Sequence, residues 1–156
     1  MRCIIFILLL AFVSLFTACS FFTDFVVVNE SDHHIDVRYE IKNLPGEPLD
    51  LTEAPATIVT SQLRDRNKLW QKLSDAQYQL DRKSRTITVR VMPNNALRIT
   101  SIHRIGGQID DNLEEGSFPI EEIIVIGPYG EIRVSGRQAR KIFVAESNRL
   151  YTLTYK

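Results

Sequence analysis

Cysteine is nearly absent from this sequence. Only two of the 156 residues are cysteines, Cys3 and Cys19, and both lie close to the N-terminus. The chain beyond Cys19 therefore has no disulfide framework, no cysteine ligand for a metal and no cysteine nucleophile.

The sequence also lacks net charge. Its 19 basic and 19 acidic residues cancel at pH 7. Sequence-independent binding to nucleic acid needs a summed positive field, so we expect no nucleic-acid partner. There is no low-complexity tract and no repeat of solenoid or propeller length, while apolar and charged residues occur at ordinary globular frequencies. This composition favours one folded domain.

The longest apolar run stands at the N-terminus. Arg2 precedes Cys3–Phe16, a charge-free stretch of the length expected for the hydrophobic region of a secretory signal. The segment 15–19, Leu-Phe-Thr-Ala-Cys, follows. It resembles the bacterial lipobox, in which a hydrophobic residue, two small residues and a cysteine direct acylation of the thiol before cleavage. Ala18 matches the small residue before the cut, whereas Phe16 departs from the usual leucine.

This resemblance implies that residues 1–18 are a lipoprotein signal peptide and that Cys19 is the lipid-modified first residue of the mature chain. A thioether to lipid also explains why an exported protein has one unpaired cysteine. Two alternatives stay open. The first is an uncleaved membrane anchor, because Cys3–Phe22 is long enough to span a bilayer. The second is a signal peptide that is cleaved without lipid attachment.

All three interpretations place the domain outside the cytoplasm. Under the lipoprotein interpretation the domain lies in the cell envelope. Ser20 follows the cysteine, and in enteric-type bacteria a residue other than Asp at this position resembles the signal for transfer to the outer membrane. We therefore expect a protein that is anchored in the outer membrane and faces the periplasm.

Period-two alternation dominates the rest of the chain. Ile35, Val37, Tyr39 and Ile41 alternate with charged residues, as in a strand with one buried face. Other short segments have strand-like composition: 25–28, 57–59, 78–80, 87–91, 97–101, 120–126, 131–135, 140–145 and 150–155. Only residues 61–73 have apolar residues at helical spacing.

We therefore predict a tether over residues 19–24 and a single all-β domain over 25–156. Half-polar strands need a second sheet to cover their apolar faces. The pattern favours an antiparallel two-sheet sandwich of about eight or nine strands and one short helix, immunoglobulin-like in architecture. A small closed β-barrel is the alternative.

Candidates for metal binding are few. His33, His34 and Asp36 bring imidazoles and a carboxylate close in sequence. Neighbouring residues on a strand point to opposite faces, and no third and fourth ligand stands at a recognised spacing. We interpret this segment as a polar turn and expect no metal and no cofactor. The only other histidine, His103, has no catalytic partner at a recognisable spacing.

Two loops complete the candidates. Asp110, Asp111, Asn112, Glu114 and Glu115 do not have the spacing of a calcium-binding loop, and we interpret them as a solvated surface loop. Residues 127–130, Gly-Pro-Tyr-Gly, predict a hairpin turn that holds Tyr129 at its tip. Tyr129 is therefore a candidate contact residue for a partner.

These observations favour a membrane-tethered lipoprotein whose β domain is noncatalytic and binds a protein or cell-wall component, or has a structural role. One alternative is an envelope hydrolase or metal-dependent enzyme with a site assembled from loops, for example from His33, His34 and Asp110. Another is an accessory subunit of an envelope complex. In that case an exposed apolar patch or strand edge would receive the partner.

Overall fold

In this computed structural model, nearly all of the regular structure is β-strand. The structure describes residues 20–42, 54–65, 67–105, 118–138, 142–147 and 149–156. The strands in these residues are β1 Ser20–Asn29, β2 Ile35–Ile41, β3 Ala56–Val59, β4 Gln71–Lys72, β5 Tyr78–Asp81, β6 Thr86–Val91, β7 Asn95–Ile105, β8 Ile120–Gly127, β9 Gly130–Ser135, β10 Val144–Ser147 and β11 Leu150–Tyr155. Single 3-10 turns lie at Thr60–Gln62, Asp75–Gln77 and Gly136–Gln138. In the described parts of the chain, no helix has the length and apolarity to cross a bilayer.

The strands form two separate sheets and do not close into one barrel. The first sheet has the order β10-β11-β1-β7-β3-β4, and the second has the order β5-β6-β2-β8-β9. Neighbouring strands are antiparallel, except that β1 and β11 run parallel. The predicted all-β two-sheet sandwich is confirmed. The parallel pair was not predicted, because no turn joins β1 to β11 and no local signal fixes their relative direction.

The main core lies between the two sheets. Phe25 of β1 is fully buried there. The centroid of its ring lies 4.9 Å from the ring centroid of Phe118, 5.5 Å from that of Phe143 and 5.1 Å from that of Tyr151. The alternating apolar residues of β2 enter the same core. The alternation in the sequence therefore marks the inner face of each sheet.

β1 is buried on its outer face as well. Val26 and Val28 point away from the main core and pack with Leu63 and Trp70. Leu63 and Trp70 belong to residues 60–65 and 67–70, which cross the outer face of the first sheet and are named the covering segment below. Burial on both faces explains why residues 25–28 of β1 form a continuous apolar run instead of an alternating one.

The predicted helix over residues 61–73 is wrong. Thr60–Gln62 forms a single 3-10 turn without a side-chain cap, and β4 occupies Gln71–Lys72. The apolar residues of this stretch do not share one helical face. Leu63 and Trp70 cover β1, and Leu73 packs against the main core. Leu69 is 83% exposed. Packing against the sheet outweighs the weak helical periodicity.

Two strand boundaries also differ from the prediction. β1 begins at Ser20, so residues 20–24, which we expected to be a tether, belong to the first sheet, and Thr23 and Asp24 are buried. Polar residues made this stretch resemble a linker, whereas pairing with β7 extends the strand. β10 includes Glu146 and Ser147, which lie beyond the predicted strand 140–145. A bulge between Ala145 and Ser147 shifts the register of β10 with β11.

We predict that Phe25→Ala destabilises the domain by about 3–5 kcal/mol, because the substitution removes an aromatic ring that packs against three others. Phe22→Ala is the matched control on the same strand, since Phe22 is 63% exposed. Its effect should stay within about 0.5 kcal/mol. Urea denaturation gives both values, and equal losses would contradict the assigned faces of β1.

Candidate functional site

A groove of about 1140 Å³ opens on the outer face of the first sheet, beside the covering segment. The residues that give it its chemical character are Phe22, Asp24, Arg64, Lys68, Trp70 and Arg98. We name it the Asp24 groove. It combines two aromatic rings with charges of both signs, whereas the surface around Val28 on the same face is apolar.

Strand register determines where the groove lies. Asp24 and Phe22 alternate with buried inner residues, so they share the outer face with Val26. On β7, Ser101 is opposite Asp24 and Arg98 is opposite Val26, with a bulge between these two pairs. The outer face is therefore apolar toward Asn29, where β1 ends, and polar toward Ser20, where it begins.

Asp24 is the centre of the polar end of this face. Its side chain is only 10% exposed. Its carboxylate accepts hydrogen bonds from Ser101 Oγ at 2.9 Å and from Trp70 Nε1 at 3.3 Å. Lys68 Nζ lies 3.1 Å from one carboxylate oxygen, and Arg98 lies 3.9 Å from the other. The carboxylate therefore ties β1, β7 and the covering segment together.

Two cations share this single carboxylate. The side chains of Lys68 and Arg98 are each 18% exposed. Both lie near the Trp70 ring, with Lys68 Nζ at 5.7 Å and Arg98 Cζ at 5.2 Å from its centroid, within the range of cation–π attraction. Asp24 neutralises one of the two positive charges. Among the described residues, these three side chains together therefore have one positive charge in excess.

Of the three charged side chains, Arg98 makes the fewest hydrogen bonds to the described residues. Its distance of 3.9 Å to Asp24 is too long for a hydrogen bond. Within the part of the chain that the structure describes, its guanidinium donates no hydrogen bond to a protein acceptor. A guanidinium offers five donors in a planar fork that fits the oxygens of a carboxylate or phosphate.

The opposite wall of the groove is formed by β10. Arg64 Nε donates a hydrogen bond to Glu146 Oε2 at 2.7 Å, and Thr152 Oγ1 donates one to Oε1 at 3.0 Å. The hydrogen bond from Arg64 is the main reason that the pKa of Glu146 is lowered. This ion pair connects the covering segment to β10 across the groove, with Arg64 itself largely exposed.

A second cluster lies at the other end of β1, where Asn29 is about 17 Å along the strand from Asp24. Asn29 is fully buried, and its Nδ2 donates hydrogen bonds to the carbonyl oxygens of His33 and Val91. These bonds fix the turn that follows β1. Asp32 in this turn is hydrogen-bonded to His33, which is the main reason that the pKa of its carboxyl is lowered.

Tyr129 belongs to this second cluster. The predicted hairpin turn is confirmed, since Gly127 pairs with Gly130 and the φ of Gly130 is +133°. The Tyr129 hydroxyl donates to Asp32 Oδ1 at 3.2 Å, and the charge of Asp32 raises the pKa of that hydroxyl. Tyr129 is 66% exposed. Its role as a contact residue stays a prediction.

The three residues weighed as metal ligands do not act together. His33 faces Asp32, and His34 is exposed. Asp36 accepts a hydrogen bond from Arg90 Nε at 3.0 Å on the second sheet. Among the described residues, no group of three or more His, Cys, Asp or Glu side chains is arranged to hold a metal ion.

Several predicted site residues lie outside the described residues. These are Ala18 and Cys19 at the signal cleavage site, and Asp110, which was considered with His33 and His34 for an enzymatic site. The backbone of His103 lies opposite Phe22 on β7. His33 and His34 lie in the turn after β1, whereas His103 lies on β7 beside the beginning of β1. The backbone therefore does not bring the three histidines together.

Sequence reasoning missed the Asp24 groove. We placed Asp24 in a tether, Trp70 in the stretch 61–73 with helical spacing, and Arg98 in the strand-like segment 97–101. One signal was present: Asp24 stands directly before the apolar run 25–28, where an acidic residue needs a partner if the strand extends through it. The partners come from positions 68, 70, 98 and 101, which no local pattern connects.

Comparisons with protein-family models, with curated protein sequences and with solved structures find no match to this chain. Its function therefore has to be inferred from its own residues.

We predict that Asp24→Asn destabilises the domain by about 2–3 kcal/mol, because two mostly buried cations lose their counter-charge. The matched control is Asp36→Asn. Asp36 and Arg90 form an exposed pair, whose loss should cost less than about 1 kcal/mol. Urea denaturation of the two variants at pH 7 measures the difference, and a control as unstable as Asp24→Asn would refute the central role of Asp24.

Proposed function

We propose that this protein is a bacterial envelope lipoprotein, anchored by palmitate-type fatty-acyl chains on Cys19, whose β-sandwich acts as a noncatalytic binding domain. The observation that carries this proposal is the lipobox-like segment 15–19, which follows the apolar run Cys3–Phe16. The partner is a component of the envelope, and Ser20 favours the outer membrane with the domain in the periplasm.

The position of Cys19 supports an anchor at this residue. β1 begins at Ser20, so the folded sheet starts directly after the proposed lipid-bearing residue. Cys19 is also the only cysteine that would remain after removal of residues 1–18. An unpaired thiol is unusual in an oxidising compartment, and a thioether to lipid would account for it.

The chemistry of the Asp24 groove supports binding in preference to catalysis. A general base needs a lone pair directed at its substrate. The Asp24 carboxylate is instead held by Ser101, Trp70 and Lys68. This fixed carboxylate positions the cations and the indole that line the groove, and such an arrangement is suited to recognising a ligand surface.

We predict that Cys19→Ala abolishes incorporation of a fatty-acid analogue in growing cells and leaves the precursor uncut by the lipoprotein peptidase. Cys3→Ala is the matched control, because it removes the other cysteine and leaves segment 15–19 intact. The control should be labelled normally. Mass spectrometry of the wild type should find a mature N-terminus at Cys19 that carries acyl chains.

Normal labelling of Cys19→Ala would refute the proposal. An unlabelled wild type that retains residues 1–19 would identify Cys3–Phe22 as an uncleaved anchor, and an unlabelled but shortened wild type would identify a plain signal peptide.

A further inference from the structure

We propose that the Asp24 groove binds the phosphate of an anionic phospholipid headgroup in the membrane to which the chain is anchored. This inference rests on the proposed lipid at Cys19. It adds that the domain docks on the bilayer surface through one defined face, the outer face of the first sheet near Ser20.

The first argument is distance. Cys19 precedes β1 directly, and Asp24 is five residues further along the strand. Five extended residues span at most about 17 Å, so an acyl chain on Cys19 holds the groove within that distance of its attachment point in the bilayer. No linker separates the anchor from the sheet, which limits the orientations available to the domain.

The second argument is charge. Lys68 and Arg98 are largely buried, and they share Asp24 as their counter-ion. Arg98 donates no hydrogen bond to the described residues of the protein. The oxygens of a phosphate fit a guanidinium fork and an ammonium group together, and a phosphate would neutralise the second positive charge of this pair.

The third argument is the kind of surface around these charges. Phe22 lies two residues before Asp24 on the same face and is 63% exposed. Trp70 lines the groove with its ring near both cations and its indole N–H on Asp24. Aromatic rings of this kind are favoured at the boundary between headgroups and acyl chains. The groove thus offers an anion site with an aromatic border on the side of the anchor.

Trp70 is the only tryptophan in the chain, so its fluorescence reports on the groove alone. The mature lipoprotein is reconstituted into phosphatidylcholine vesicles that contain a minor fraction of a brominated lipid. The brominated lipid is phosphatidylglycerol in one set of vesicles, which gives the surface a negative charge, and phosphatidylcholine in the other. We expect stronger quenching of Trp70 by brominated phosphatidylglycerol. We expect Arg98→Gln and Lys68→Gln each to weaken this lipid preference about fivefold.

Arg90→Gln is the matched control. It also removes one arginine that pairs with an aspartate on a strand, but on the second sheet. This variant should keep the wild-type preference. Urea denaturation checks that each variant is folded. If Arg98→Gln is too unstable for reconstitution, Lys68→Gln provides the same comparison.

The inference is overturned if Trp70 shows no preference for phosphatidylglycerol, or if Arg90→Gln loses the preference as much as Arg98→Gln does. It is also overturned if millimolar inorganic phosphate removes the preference, because the groove then binds free phosphate. Mass spectrometry of the same preparation reports acylation of Cys19 separately. An acylated protein without lipid preference refutes only the groove, whereas an unacylated protein refutes the proposed anchor.

Discussion

The burial of β1 on both of its faces is the constraint on which the rest of this structure depends. Phe25 and Val27 fill the core between the sheets, while Val26 and Val28 are covered by Leu63 and Trp70. A central strand with two apolar faces needs a layer on each side. The second sheet supplies one layer and the covering segment supplies the other, so residues that lie far apart in the sequence must meet at β1.

The Asp24 groove follows from the same constraint. The covering segment ends over β1 at the point where the strand changes from apolar to polar residues. Burying Asp24 there has an energetic cost unless donors and cations surround it. Ser101, Trp70 and Lys68 meet this requirement directly. Arg98 lies 3.9 Å from the same carboxylate, and it donates no hydrogen bond to an acceptor among the described residues.

β1 also separates two surfaces of different character. Its Ser20 end carries the groove and continues from the proposed anchor at Cys19. Its Asn29 end, about 30 Å away, leads into the turn with Asp32 and His33, beside the exposed Tyr129. The Asn29 end is thus the end of β1 that lies farther from the proposed anchor. Tyr129, the candidate contact residue, lies at this farther end and is largely exposed.

The sequence alone determined the fold class and most strands, because alternation at every second residue depends only on which face of a strand is buried. β2 is the clearest case, and the turn at 127–130 is another, since glycine and proline fix its local backbone. The lipobox resemblance is likewise local and needs no structure. Tertiary structure alone decided that residues 60–65 and 67–70 cover a sheet instead of forming a helix, that β1 reaches back to Ser20 and pairs parallel with β11, and that Asp24, Lys68, Trp70 and Arg98 form one site. These outcomes depend on contacts between distant positions, whose energies outweigh the weak local preferences of the residues involved.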